Sequence, residues 1–187
     1  DKDGRAADPD LLSGCTIRVD KYRDAVAKAC ASAAPLGGAK GDRVSLGVAA
    51  ENASSDVTAT DDKDVNAGVD LTFAALTLDA DGRITSAIGD MAEPALTVAA
   101  DGGITAPEAV RTKLELGDGY GMRGASALGK EWYEHSAGYC SYLKGKTEAE
   151  AASIPADGSD PDLAALCTIS IDALQKAVGD AFENAGV

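Results

Sequence analysis

Few side chains in this sequence are of a kind that does chemistry, and their spacing narrows the choice further. His135 is the single histidine among 187 residues, so a multi-histidine metal site is out of reach. No serine sits in a Gly-x-Ser-x-Gly turn of the kind that exposes a nucleophile. Cys15, Cys30, Cys140 and Cys167 form no Cys-x-x-Cys pair, which argues against a zinc site or a thioredoxin-type dithiol. The 31 Asp and Glu residues contain no Asp-x-Asp-x-Asp-Gly loop ending in Glu, so the EF-hand pattern fails. Two threonines remain, Thr16 and Thr168, because they share one setting. Asp8-Pro-Asp-Leu-Leu-Ser-Gly-Cys-Thr-Ile-Arg-Val-Asp20 near the start is matched by Asp160-Pro-Asp-Leu-Ala-Ala-Leu-Cys-Thr-Ile-Ser-Ile-Asp172 near the end.

The elements that must position these threonines follow from the pattern around them. Cys15 to Val19 and Cys167 to Ile171 alternate with β-branched residues, which predicts a strand in each copy. Asp20 and Asp172 suit helix N-caps. The run to Ala34 carries Tyr22, Val26, Ala29 or Cys30, and Ala33 at helical spacing. The run after Asp172 carries Leu174, Val178 and Phe182, with Gln175 completing an Asp-x-x-Gln cap. Each copy, 9–34 and 161–186, therefore reads as a strand-helix arm.

Between the arms the pattern is mostly β. Arg43 to Ala50 reads as a strand with Val44, Leu46 and Val48 on one face. Asn52 to Asn66 is a polar loop. Gly68 to Leu78 and Arg83 to Ile88 are strands joined by the turn Asp79-Ala-Asp-Gly82. Ala95 to Ala99 and Ile104-Thr105 add a second hairpin through Asp101-Gly-Gly103. Ala106 to Gly121 is ambiguous: Pro107-Glu108 is able to start a helix through Val110 and Leu114, which the glycines of Leu116-Gly-Asp-Gly-Tyr-Gly-Met122 would break. Ser126 to Lys144 is the longest helical pattern, with Leu128, Trp132, His135, Tyr139 and Leu143 on one face. Thr147-Glu-Ala-Glu150 is a capping box. The expected fold is α+β: a central antiparallel or mixed sheet with about four helices and duplicated arms at both ends. Residues 1–8 read as a polar tether, and 9–187 as a single domain in which both arms close on one sheet.

The hydrophobic share of 45% is rich in alanine, and aromatics make up only 4%, so the core is modest but sufficient. The formal net charge of −14 excludes nucleic acid, because no basic patch replaces phosphate counterions. It keeps the chain soluble and away from anionic membranes. No apolar stretch is long enough to insert directly into a bilayer. The polar opening stretch, without an initiator Met, is read as following a removed targeting segment. The four cysteines allow three complete pairings. If the copies pack about an approximate dyad, Cys15 and Cys167 come together as a disulfide; otherwise the thiols are small buried apolar groups.

Asp10-Leu-Leu-Ser-Gly-Cys-Thr16 resembles the signature of bacterial FMN-binding domains, in which Asp-x-x-Ser/Thr-Gly-Ala-Thr lies at the junction of a strand and a helix. In that family a flavin transferase esterifies the threonine hydroxyl to the phosphate of FMN. The resemblance implies Thr16 as the attachment point, with Asp10, Ser13 and Gly14 around it and Cys15 in place of alanine. The second copy departs from the signature, with Ala165 and Leu166 where Ser and Gly belong, so Thr168 matches less well. The chemistry needs an exposed hydroxyl on ordered backbone and helix amides that favour the phosphate. Trp132, Tyr133, Tyr120 and Tyr139 are candidates to cover the flavin ring. The bland reading makes Thr16 and Thr168 ordinary corner residues, the aromatic face of 126–144 core, and His135 a packed, satisfied side chain. It makes Glu131 and Glu134 a solvated helix face.

A second resemblance covers most of the chain. Glu115-Leu-Gly-Asp-Gly-Tyr-Gly-Met122 and Gly129-Lys-Glu-Trp-Tyr-Glu134 are similar to stretches of an uncharacterised group of secreted or lipid-anchored lipoproteins of Gram-positive bacteria. It implies an extracellular or cell-surface location. Two functions follow as expectations. One is a surface module that binds a small molecule or a surface protein without catalysis. The other is an extracytoplasmic electron carrier holding FMN.

Overall fold

The computed structural model describes residues 3–55, 58–60 and 63–186. Asp1 and Lys2 of the expected tether, and Asp56, Val57, Asp61 and Asp62 of the expected loop, lie outside these residues. The chain forms two compact units, divided between Pro35 and Leu36. The first arm belongs to the first unit and the second arm to the second.

In the first unit, α1 (Pro9–Gly14) is started by Asp8, whose Oδ1 accepts from the amides of Asp10 and Leu11 at 2.9 and 3.1 Å. Pro9 occupies the first helical position, where its missing amide costs nothing. A bend follows, and then α2 (Asp20–Ala31). The carbonyl of Gly4 accepts from Val19 and Asp20 across that bend, and Arg5 bridges Arg18. These bonds tie part of the stretch read as a tether to the corner.

The second unit is built on β2 (Val65–Leu78). It pairs antiparallel with β1 (Arg43–Asn52) over the full length of β1, in the register Leu46 to Ala75. β3 (Ile84–Ala92) pairs with the C-terminal half of β2 through the expected Asp79–Gly82 turn. β4 (Ala95–Val98) pairs with the first four residues of β2, and β5 (Ile104–Thr105) pairs with β4. The antiparallel sheet and its helices make an α+β fold.

The helices of this unit are mostly shorter than the pattern suggests. α3 (Lys113–Leu116) starts at the Thr112–Glu115 capping box, not at Pro107. α4 (Trp132–Tyr142) begins six residues later than the apolar pattern. Gly129, at a φ of +63° that ordinary side chains avoid, turns the chain just before it. α5 (Glu148–Ala152) follows its predicted capping box, and α6 (Pro161–Ala164) and α7 (Asp172–Ala185) form the second arm. Among the described residues there are seven α-helices, more than the roughly four expected; two of the unexpected ones, α1 and α6, are nucleated by Asp8-Pro and Asp160-Pro.

The strands expected at Cys15–Val19 and Cys167–Ile171 are therefore absent. Each arm is a helix, a bend and a helix. The reason is visible in the backbone donors: Cys167 N–H is held by Leu163 O at 2.8 Å and Thr168 N–H by His135 Nδ1 at 3.2 Å. With those donors taken, little remains for a ladder.

α7 covers β1 and β2 on one face of the sheet, burying Leu174, Ala177, Val178, Ala181 and Phe182. The approach is close: Ser45 Oγ donates to Ala181 O at 2.6 Å, and a Cβ on Gly47 would lie 2.0 Å from Ala177 O. Ser45 and Gly47 thus face the helix, while Val44, Leu46 and Val48 face outward at 79%, 53% and 41% exposure. Gln175 does not cap its own helix; its Nε2 donates to the carbonyls of Ala151, Ala152 and Ile154, closing the end of α5. No helix among the described residues is long and apolar enough to cross a membrane.

Candidate functional site

The two stretches that carry the wider resemblance fold onto each other. The glycine-rich stretch runs from α3 through a 3-10 turn, Gly117–Tyr120. Both oxygens of the Glu131 carboxylate then catch it: Oε2 accepts from Met122 N at 2.9 Å and Oε1 from Arg123 N at 3.0 Å. Glu131 is 2% exposed. Its own amide donates to Glu134 Oε2 at 2.9 Å, starting α4. Arg123 closes the arrangement through Asp118 at 2.9 Å, Glu134 at 2.8 Å and the carbonyl of Gly129 at 3.0 Å. Glu131 is thus not on a solvated face, as its Lys-Glu-x-x-Glu context suggested. Its period within the helix gave no warning, because its partners come from a loop.

This clasp fixes Tyr120, Met122 and Trp132 around one cavity of about 340 Å³. Thr72 and Met91 form its floor from the sheet. Ile169, Ser170, Asp172, Ala173 and Leu174 close it from the second arm, and Glu51 and Lys113 complete the wall. Lys113 is 6% exposed, and its Nζ lies 4.7 Å from the centre of the Tyr120 ring and 5.3 Å from that of Trp132. Burial works to lower its pKa, but the Glu93 carboxylate at 2.7 Å and Tyr120 outweigh it and hold the ammonium above its ordinary value. Lys176 bridges Glu51 and Asp172 at 2.7 and 2.8 Å, so the charges at the rim are matched. Two aromatic rings, two thioethers and balanced charge suit a flat, largely apolar guest.

A second cavity of about 270 Å³ lies between α4 and β3, lined by Ala87, Ile88, Leu114, Tyr133, Ala137 and Cys140 among others. Burial pushes the Cys140 thiol up to about 11, so it stays protonated and inert at neutral pH. Among the described residues the four cysteines are free thiols, Cys30 exposed and Cys140 and Cys167 buried. Cys15 belongs to the first unit and Cys167 to the second.

The residues singled out from the sequence separate. Asp10, Ser13, Gly14 and Thr16 lie in the first unit. Asp10 and Ser13 are on α1, with Ser13 Oγ donating to Asp10 O at 2.7 Å. Thr16 is exposed, and nothing lies within 4 Å of where a Gly14 side chain would start. Thr168 is exposed in the second unit, and the residues directly after it line the Trp132 cavity. Tyr120 and Trp132 meet there, whereas Tyr139 is fully buried in the core. His135 is fully buried and doubly bonded. Because Nδ1 accepts from Thr168 N–H, the proton sits on Nε2, which donates to Ser126 Oγ at 2.8 Å. The ring is thus pointed the wrong way to take a proton from that serine, and burial lowers its pKa first, with Lys130 adding to the effect.

No family model matches the chain, and no solved structure matches it. A stretch of 39 residues is 54% identical to a chlorophenol reductase from Desulfitobacterium hafniense. That stretch is 21% of this chain and 12% of the reductase, so the likeness reaches only a short segment of either protein.

Proposed function

We propose that this chain is an exported, cell-surface module that binds a small molecule or a partner group and carries no catalysis of its own. The observation behind it is the Trp132 cavity. A buried glutamate is spent on fixing a loop so that Tyr120, Met122, Trp132 and Lys113 share one opening. The surface location rests on the likeness of Glu115–Met122 and Gly129–Glu134 to secreted and lipid-anchored proteins. The lone His–Ser contact supports the absence of catalysis, since the histidine donates to the serine instead of activating it.

Trp132 is the sole tryptophan, so its fluorescence reports directly on the cavity. Titration with anilinonaphthalenesulfonate should shift that emission saturably, and Met122→Ala should weaken binding by about tenfold. Emission unmoved by this probe, by FMN and by riboflavin would remove the cavity as a binding site.

A second reading is an electron-transfer domain carrying FMN on Thr16. It is favoured by the exposed Thr16 hydroxyl beside open space at Gly14, and by the start of α2, which no side chain caps. The name of the reductase that shares a short segment points toward redox chemistry as well. Co-expression with a flavin transferase tests it: the peptide holding Thr16 gains the mass of the FMN ester, and Thr16→Val does not. Colourless, unmodified protein under those conditions leaves the binding module alone.

A further inference from the structure

The two arms are the same structure in two different circumstances. Asp8 and Asp160 each start a short helix by accepting two amides, at 2.9 and 3.1 Å and at 2.9 and 3.0 Å. Val19 and Ile171, at the entry to the long helices, have nearly the same backbone, φ −115° and ψ −4° against φ −101° and ψ 2°. Yet Leu163 is 2% exposed and its match Leu11 is 49%. Leu174 and Val178 are 3% exposed, while Tyr22 and Val26 are 66% and 64%. No residue of α2 is buried.

What such a helix covers is shown by α7. Ala177 and Ala181 stand where the backbone of β1 comes closest, over Gly47. α2 has Ala25 and Ala29 at the matching positions, with Val26 where α7 has Val178. A twelve-residue helix is marginal in water by itself, so its apolar stripe needs a cover. We propose that α2 is the covering helix of a second β-sheet unit, built like β1–β3 but with its rim charge reversed.

The reversal is read from the flanks of the stripe. On α7, Lys176 reaches Glu51 of β1 at 2.7 Å, and Asp180 accepts from Val48 N at 2.8 Å. The matching residues of α2 are Asp24 and Lys28. A sheet with Glu51 in its usual place would set one carboxylate against another. A sheet with lysine there would restore the pair, so the partner is a related unit and not a second copy of this chain.

The test keeps the full chain and adds a sheet. Residues 36–159 are placed directly in front of Asp8, so that α2 follows the added sheet as α7 follows β1–β5. The added segment carries either Glu51 or Glu51→Lys. In the Glu51→Lys form, the amides of residues 22–31 should exchange with solvent on the order of a hundredfold more slowly than in the unextended chain. The Glu51 form should protect them less, and Val26→Asp should abolish the protection. A control graft has the residues of α7 in place of 20–33. If that control protects its helix while α2 exchanges as fast as in the unextended chain, the proposal falls. Equal protection with Glu51 and with lysine would overturn the charge reversal.

Discussion

Among the described residues, Tyr139 is the one large core side chain whose polar end goes unused. It is fully buried, and its hydroxyl makes no hydrogen bond to any described residue. Burial, with smaller effects of Cys140 and Cys167, holds its pKa well above the ordinary value. Removing a buried hydroxyl usually costs stability, but here it relieves an unmet group. Tyr139→Phe is expected to raise stability by about 1 kcal/mol, read from the urea midpoint at unchanged slope; a lower midpoint would mean that the hydroxyl has a partner. From sequence, Tyr139 was legible in two ways, as one of four aromatics able to cover a ring and as part of an apolar helix face packed in the core. Its place on the stripe with Leu143 fixes it in the core, whereas Trp132, at the first turn of α4, opens on a cavity. His135 was legible as a packed residue. Its service to Thr168 was not, since that bond spans 33 positions and belongs to a bend read as a strand.

Elements were legible where local chemistry decides them, and misread where a distant partner does. The turn at Asp79–Gly82, the second hairpin and the Thr147 box stand as their residues dictate. The arms do not, because Thr-Ile-x-Val looks like a strand until Asp-Pro-Asp is recognised as a helix start. β1 shows the same limit in another form. Alternation told its faces apart, but the apolar face is the outward one, since α7 approaches too closely for anything beyond Ser45, Gly47 and Ala49. The Glu131 clasp joins an element to a loop, and its loss should show at that scale. Glu131→Ala leaves two amides without their charged acceptor and should cost about 3 kcal/mol. A red shift of the Trp132 emission should accompany it as the cavity opens, and destabilisation without that shift would mean that the clasp does not shape the cavity. Glu131→Gln, which keeps one acceptor oxygen, should fall between.

Across the whole molecule the acid surface and the buried bases act at opposite ends of the pH scale. Cys140 keeps its proton to about pH 11 when folded, against an ordinary value of 9.0. The folded state therefore binds more protons than the unfolded one in that interval, and stability must fall as pH rises through it. Lys113, also raised, adds a loss of the same sign above its own ordinary value. A thermal melt should thus drop between pH 9 and 11, and Cys140→Ala should lose less over that interval than the parent; an identical slope would place the titration elsewhere. Bulk composition spoke only to class here: the charge and the length were read correctly as those of a folded acidic chain, while the fates of individual thiols depend on burial. Those fates have a practical outcome. Cys140 and Cys167 are shielded, and Cys30 stands in the open on α2, at the position matching Phe182 in the stripe of α7. A thiol-directed dye given briefly at neutral pH should therefore settle chiefly on Cys30, placing a lamp on the helix face whose neighbour is being sought.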